Sequence, residues 1–313
     1  MSDDPTWFDP SLTSTDDAVA RLPRPAREAR VHQLTAQSHL ILDRAIDDHI
    51  LEPGKTVAGI VGLFSGGGDS TVLCHLMRER LTHLGHANTT IGIEATREFV
   101  RATADTWGIP LLEFTPARED DHYAALVRDQ GFPGPGHHFK MYQRLKERSL
   151  RRIRGTLVTE RNQRVVFLAG RRRAESKRRQ NIPVTEREGS IVWVSPMVNW
   201  TKPDLNTYRL LNDVPVNEVT DLLHMSGECL CGSFAHAGEL DEIAEWFPAT
   251  AAEIRALEAE IASRDDIPEH RKTWGWGATA DRSTRGAGAS RVGALCSSCD
   301  ARFEQQALDG MPA

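Results

Sequence analysis

The chain of 313 residues has no apolar run approaching the roughly 18 residues that a membrane-spanning helix needs, so no transmembrane segment is expected. Its first residues, Met1-Ser2-Asp3-Asp4, are acidic instead of basic and apolar. That leaves no signal-peptide pattern and points to a cytoplasmic protein. No internal repeat is visible. Cysteine is scarce, with five in all, and thiols in a cytoplasmic protein point to a metal sooner than to disulfides. The net charge of -6 argues against a generic polyanion binder. No Gly-Lys-Ser/Thr follows the glycine triplet ending at Gly68, which excludes a Walker loop.

What is present is an apolar run ending in glycine, Val61-Gly62-Leu63-Phe64-Ser65-Gly66-Gly67-Gly68-Asp69-Ser70-Thr71. Residues 57–64 read as a buried strand and 71–84 as a helix, which puts the glycines at a strand-to-helix turn. Without Cβ atoms they let backbone N–H groups approach an anion, and the helix N-terminus adds partial positive charge. Asp69 and Ser70 could equally be a capping pair on a plain glycine turn.

Ser-Gly-Gly-x-Asp-Ser after a strand resembles the signature of the PP-loop ATP pyrophosphatases. Within that superfamily the chain is most similar to the phosphoadenosine phosphosulfate (PAPS) reductase family, and closest in character to its DNA phosphorothioation-type sulfur-transfer enzymes. Gly170-Arg171-Arg172-Arg173-Ala174-Glu175-Ser176 after the strand ending at Ala169 is similar to the family's Gly-x-Arg-x-x-Glu-Ser block. Thr90-Ile91-Gly92 stands where the family carries Asp-Thr-Gly. The resemblance covers about residues 35 to 247 and implies an adenine nucleotide alpha hydrolase-like fold. It also implies nucleotide contacts from Ser65, Gly66, Gly67, Gly68, Asp69, Ser70, Thr90, Gly92, Gly170, Arg171, Arg172, Glu175, Ser176 and Arg179. Asp69, as a Mg²⁺ ligand, and Arg178 are the candidate catalytic residues.

From Lys140 to Arg179 there are fifteen Lys or Arg against three acids, a net of +12. Such a block is either a pair of solvated helix faces or a set of phosphate contacts, and it offers a surface for DNA. Cys229, Cys231, Cys296 and Cys299 form Cys-x-Cys and Cys-x-x-Cys pairs suited to a 4Fe-4S cluster or a structural Zn²⁺. The resemblance favours the cluster. Cys74 falls in the helix after the glycine loop and reads as a small buried hydrophobe. The family's reductases carry a C-terminal Glu-Cys-Gly-Leu-type tail, which this chain lacks, ending Gly310-Met311-Pro312-Ala313.

The expected organisation is a loose lead-in over 1–33, a nucleotide-binding α/β domain over 34–200, a helical extension over 201–264 and a tail over 265–313. Strands near 57–64, 88–93, 110–114, 164–169 and 190–194 alternate with helices at 34–50, 71–84, 95–107, 119–129 and 137–154. Alternation of that kind predicts a parallel sheet with helices on both faces. Further helices are expected at 203–212, 216–225, 239–247 and 250–263. Three functional readings follow. The first is ATP-dependent sulfur transfer to an adenylated acceptor, with a sulfur donor protein as partner. The others are reduction of adenylyl sulfate or its 3′-phosphorylated form, and a nucleotide-binding assembly subunit with structural zinc.

Overall fold

The computed structural model describes residues 4–176 and 179–277. Six strands form one sheet: β1 (Thr56–Leu63), β2 (His83–Ala87), β3 (Leu111–Phe114), β4 (Gln163–Leu168), β5 (Thr185–Glu188) and β6 (Ile191–Val194). Their order is β3-β2-β1-β4-β6-β5, parallel throughout except for β5, which pairs antiparallel with β6 at the edge. Among the described residues the α-helices longer than five residues are α1 (Arg24–Ile46), α2 (Gly68–Met77), α3 (Glu94–Trp107), α4 (Tyr123–Gln130), α5 (Arg148–Leu157), α6 (Lys202–Asn212), α7 (Glu218–Leu223), α8 (Glu239–Trp246) and α9 (Pro248–Ile261). Among the described residues no helix is long and apolar enough to cross a membrane.

Both faces of the sheet are covered, and the central strands are apolar on both sides for that reason. Val166, Leu168, Val192 and Val194 point to one face, packing with Ile41 of α1, Leu73 of α2 and Leu205 of α6. Val165, Phe167, Ile191 and Trp193 point to the other, against Leu150 and Ile153 of α5. A separate apolar cluster joins α4, α7, α8 and α9 through Leu126, Val219, Ile243 and Ile254. The chain winds from β1 out to β3 and returns on the other side of β1 to form β4. The crevice beyond the carboxyl ends of β1 and β4 is therefore the topological switch point of the sheet, where such folds bind ligands.

Three expectations are corrected. The second strand is β2 at 83–87, not 88–93, and α2 ends at Met77 followed by a single 3₁₀ turn, Arg78–Arg80. Residues 88–93 alternate like a strand because Ile91 and Ile93 are buried, yet they feed the helical cluster instead of the sheet. Thr90 has φ +61° there, and its N–H bonds to Asn88 Oδ1, a local turn that breaks any ladder. The lead-in is pinned, not loose. Phe8 is buried, Asp4 accepts from Arg173, and α1 starts ten residues before the predicted helix. The hairpin strand β5 was not foreseen. Its sequence, Thr185-Glu186-Arg187-Glu188, is polar because it forms the sheet edge.

Candidate active site in the β1/β4 crevice

After β1 the chain turns through Ser65 and Gly66, which has φ +76° and no room for a side chain, since a Cβ would lie 2.8 Å from Thr96 Cγ2. Gly67 is the N-cap of α2, and Ser70 and Thr71 both donate their hydroxyls to its carbonyl at 2.9 Å. The Ser65 and Ser70 hydroxyls are 3.1 Å apart. Asn217, the N-cap of α7, grips the loop from outside by donating Nδ2 to Gly66 O at 3.0 Å and to Thr96 Oγ1 at 3.1 Å. The result is a fixed turn at a helix N-terminus, suited to an anion.

The second motif follows β4 directly. Gly170 touches the glycine loop so closely that a Cβ would sit 3.2 Å from the carbonyl of Asp69. Arg172, 1% exposed, donates Nε to Asp69 Oδ2 at 2.8 Å, and Lys202 Nζ lies 4.0 Å from Asp69 Oδ1. Burial opposes ionisation of Asp69, but Arg172 and Lys202 outweigh it and hold the pKa below the usual carboxylate value. Asp69 is thus a counter-ion to two cations and does not fit the expected role of a free ligand for Mg²⁺. Lys202 is itself pulled down by burial. Arg171 donates Nε to Ser195 Oγ at 3.1 Å and stacks 5.9 Å from the Trp193 ring centroid, while its buried Nη2 has no protein partner. Glu175 pairs with Arg179 at 2.8 Å, and Arg179 N bonds Ser176 O. Arg178 lies outside the described residues.

A cavity of about 240 Å³ opens on these groups. Ser65, Gly67, Gly68, Asp69 and Ser70 line it with Gly170, Arg171, Glu175, Arg179 and Lys202. An apolar wall comes from Leu63, Ala87, Met141, Leu145 and Leu150. Met141 and Leu145 belong to a helical stretch, His138–Tyr142 then a π-helical turn Gln143–Glu147, that runs on into α5. Gly66, Arg172 and Ser176 are not among the lining residues, nor are Thr90 and Gly92. Gly92 instead abuts the backbone of Glu228, whose O would be 2.5 Å from any Cβ there.

Cys229 and Cys231 line the same cavity, on either side of buried Leu230. Leu230 is fixed by Ile91 O at 2.9 Å and Trp274 Nε1 at 2.8 Å, and Tyr123 donates its hydroxyl to Cys231 O at 2.9 Å. The neighbouring Cys231 and burial push the Cys229 thiol well above its usual pKa. Behind the pair, His86 Nε2 and Glu228 Oε2 form a buried ion pair at 3.1 Å, while His86 Nδ1 bonds Phe64 O at 2.7 Å. Burial works against the charged imidazole, but Glu228 outweighs it and the pKa is raised. Among the described residues no group of three or more His, Cys, Asp or Glu could hold a metal. Cys296 and Cys299 lie outside those residues, so the expected four-cysteine centre is represented by two thiols. Cys74 is fully buried and off the cavity, as a packing residue.

The +12 block is largely tied to its own chain. Arg148 pairs with Asp121, Arg151 with Glu147 at 2.5 Å, Arg154 with Ser190 at 2.7 Å, and Arg152 stacks on Phe114.

Residues 59–226 match the family model of the phosphoadenosine phosphosulfate reductase domain. The chain belongs to that family. With it comes membership of the PP-loop, adenine nucleotide alpha hydrolase-like class of enzymes. A curated relative from Schizosaccharomyces pombe, described as a probable phosphoadenosine phosphosulfate reductase, is 29% identical over 55 residues. That match spans 18% of this chain and 21% of the relative's length. Among solved structures, phosphoadenylyl-sulfate reductase from Candida auris in a phosphate complex is 19% identical, covering 62% of this chain and 91% of that one with a TM-score of 0.44. Candida glabrata FMN adenylyltransferase with FAD and inorganic pyrophosphate is 12% identical, covering 68% of this chain and 66% of that one with a TM-score of 0.42.

Sequence reasoning missed Lys202, Asn217, His86 and Glu228. The first two had a signal. Lys202 is the first residue of a helix announced by the capping box Thr201-Lys202-Pro203-Asp204, and Asn217 is a capping residue before an apolar turn. Which helix start faces the loop was not readable. His86 and Glu228 are 142 positions apart, and no local pattern pairs them.

Proposed function

We propose that the protein is an adenine-nucleotide-dependent sulfur-transfer enzyme. In this reading the glycine loop holds the phosphates of ATP, an acceptor oxygen attacks the α-phosphate, pyrophosphate leaves, and a sulfur donor then displaces AMP. The observation that carries it is the placing of Cys229 and Cys231 on the wall of the cavity that Ser65 and Gly67 to Ser70 also line. Phosphate chemistry and sulfur chemistry then share one chamber. The protein's part is positioning and charge neutralisation by Arg171, Arg179 and Lys202 around the anion. Arg178 would join them from the same motif. A nucleic-acid backbone is one acceptor class consistent with the basic block, and a sulfur donor protein would be the partner. Cys229 and Cys231 fit one half of a 4Fe-4S or Zn²⁺ centre, which Cys296 and Cys299 would complete.

The two thiols in the cavity also favour a second reading, reduction of adenylyl sulfate or its 3′-phosphorylated form, the activity named for the relatives. One pair of assays separates them. Pyrophosphate released from ATP supports sulfur transfer, and sulfite released from adenylyl sulfate with a thiol reductant supports the reductase. Neither product overturns both.

A further inference from the structure

Two residues that line the cavity each carry a buried polar atom with no hydrogen-bond partner within the protein. Thr220 is 6% exposed and its Oγ1 is buried without a hydrogen bond. His224 has its Nδ1 in the same condition, and both residues line the cavity. They stand four positions apart along α7 and its C-cap, and the cavity takes both into its lining. His224 also has φ +55°, a backbone conformation that residues with a Cβ rarely adopt. Glycine would be the undemanding choice at that C-cap. A side chain kept in a strained place, with a buried polar atom left unpaired, needs something to bond.

Their position says what that is. α7 is capped by Asn217, which holds Gly66, and the chain after His224 returns to the loop, where a Cβ on Gly67 would be 3.0 Å from Ser226 Cβ. The pair thus belongs to a segment held against the glycine loop at both ends, in a cavity whose lining also includes the apolar Leu63, Ala87, Met141 and Leu145, suited to a base. We infer that Thr220 and His224 form a hydrogen-bonding subsite for the terminal oxyanion group of the loop's ligand, whether phosphoryl or sulfuryl. This rests on the adenine-nucleotide reading of the cavity.

The test is calorimetric titration of the wild type, Thr220→Val and His224→Gly with ATP, adenylyl sulfate, AMP and inorganic pyrophosphate, beside a thermal melt of each protein. The expected result is a loss of about tenfold or more for whichever of ATP or adenylyl sulfate binds, as for a hydrogen bond to a charged group. Pyrophosphate should weaken in parallel, AMP should stay within about twofold, and His224→Gly should melt no lower than the wild type because the strained φ is relieved. A larger loss for ATP names the phosphoryl source, and for adenylyl sulfate the sulfuryl one. Unchanged affinities overturn the inference alone, and so does an equal loss for AMP. Weakened pyrophosphate binding in a protein that binds no adenine nucleotide upholds the subsite and overturns the nucleotide reading. A wild type that binds none of the four overturns both.

Discussion

Arg172 Nε donates to Asp69 Oδ2 at 2.8 Å, joining two motifs 103 positions apart across the crevice. Arg172 is buried, and burial opposes its charge, but Asp69 and Glu175 outweigh that and keep the guanidinium protonated. Asp69→Ala therefore leaves a buried cation without its carboxylate. The expected loss is about 3 kcal/mol, the low end for breaking a buried pair, because Asp69 retains 25% side-chain exposure. Urea unfolding checks it, and a midpoint equal to wild type would show that Arg172 needs no counter-ion. Because the folded pKa of Asp69 is lowered, its contribution is present above the ordinary value of 3.8 and fades as pH falls through the folded value.

His86 carries the corresponding link to the cysteine segment. His86→Phe would strand Glu228, 1% exposed, with Arg97 4.0 Å away as its remaining charged neighbour. A destabilisation of about 3 kcal/mol is expected, together with faster alkylation of Cys229 as residues 226–231 loosen. With the folded pKa of His86 raised, the pair's contribution is full below the ordinary 6.5 and is lost as pH rises through the folded value. Alkylation and unfolding at wild-type rates in the variant would show that the segment is held by other contacts.

The parts of the site that could be read from sequence are those where chemistry and chain position coincide. Ser65 to Ser70 and Gly170 to Arg172 each follow a strand within a few residues, so the strand pattern alone places them at the carboxyl edge of the sheet. The sheet core was legible for the same reason, since Val165 to Leu168 and Ile191 to Val194 are apolar on both faces. What was not legible depends on long-range placement. Ile91 and Ile93 imitate a strand because burial in a helical cluster also selects apolar residues. His83-Leu84-Gly85-His86-Ala87 conceals one, because two histidines and a glycine occupy it for local reasons. His86 bonds Phe64 O, and a Cβ on Gly85 would come within 2.8 Å of Val61 Cγ1.

Glu113 gives a pH signature on the edge strand β3. Arg101 donates to both of its oxygens at 2.8 Å and Asn88 Nδ2 to one at 2.9 Å. The Arg101 hydrogen bonds, against the opposing effect of burial, push its pKa from the ordinary 4.5 down to about 2. A depressed folded pKa stabilises above the ordinary value, so this contribution is complete above 4.5 and is lost as pH falls from 4.5 to about 2. The stability gap between wild type and Glu113→Gln should be full near neutral pH and shrink across that window. A gap independent of pH would assign the effect of the substitution to packing.

Cys229 and Cys231 stand side by side on the cavity wall with their backbone held at Leu230 and Tyr123, so they are presented ready for a shared ligand. If Cys296 and Cys299 complete a centre with them, 65 positions separate Cys231 from Cys296. Closing so long a loop adds only about 0.6 kcal/mol for each doubling of its length, which a metal centre easily offsets. The protein purified without oxygen should then hold one centre per chain. Iron with acid-labile sulfide and visible absorption would identify a cluster, and zinc without colour a structural site. Cys229→Ser and Cys296→Ser should each lose the metal, and each should expose the residues after 277 to protease. Full metal content in both variants, with the C-terminal segment still protected, would show that the two pairs serve separate purposes, leaving Cys229 and Cys231 as thiols on the cavity wall that hold no metal.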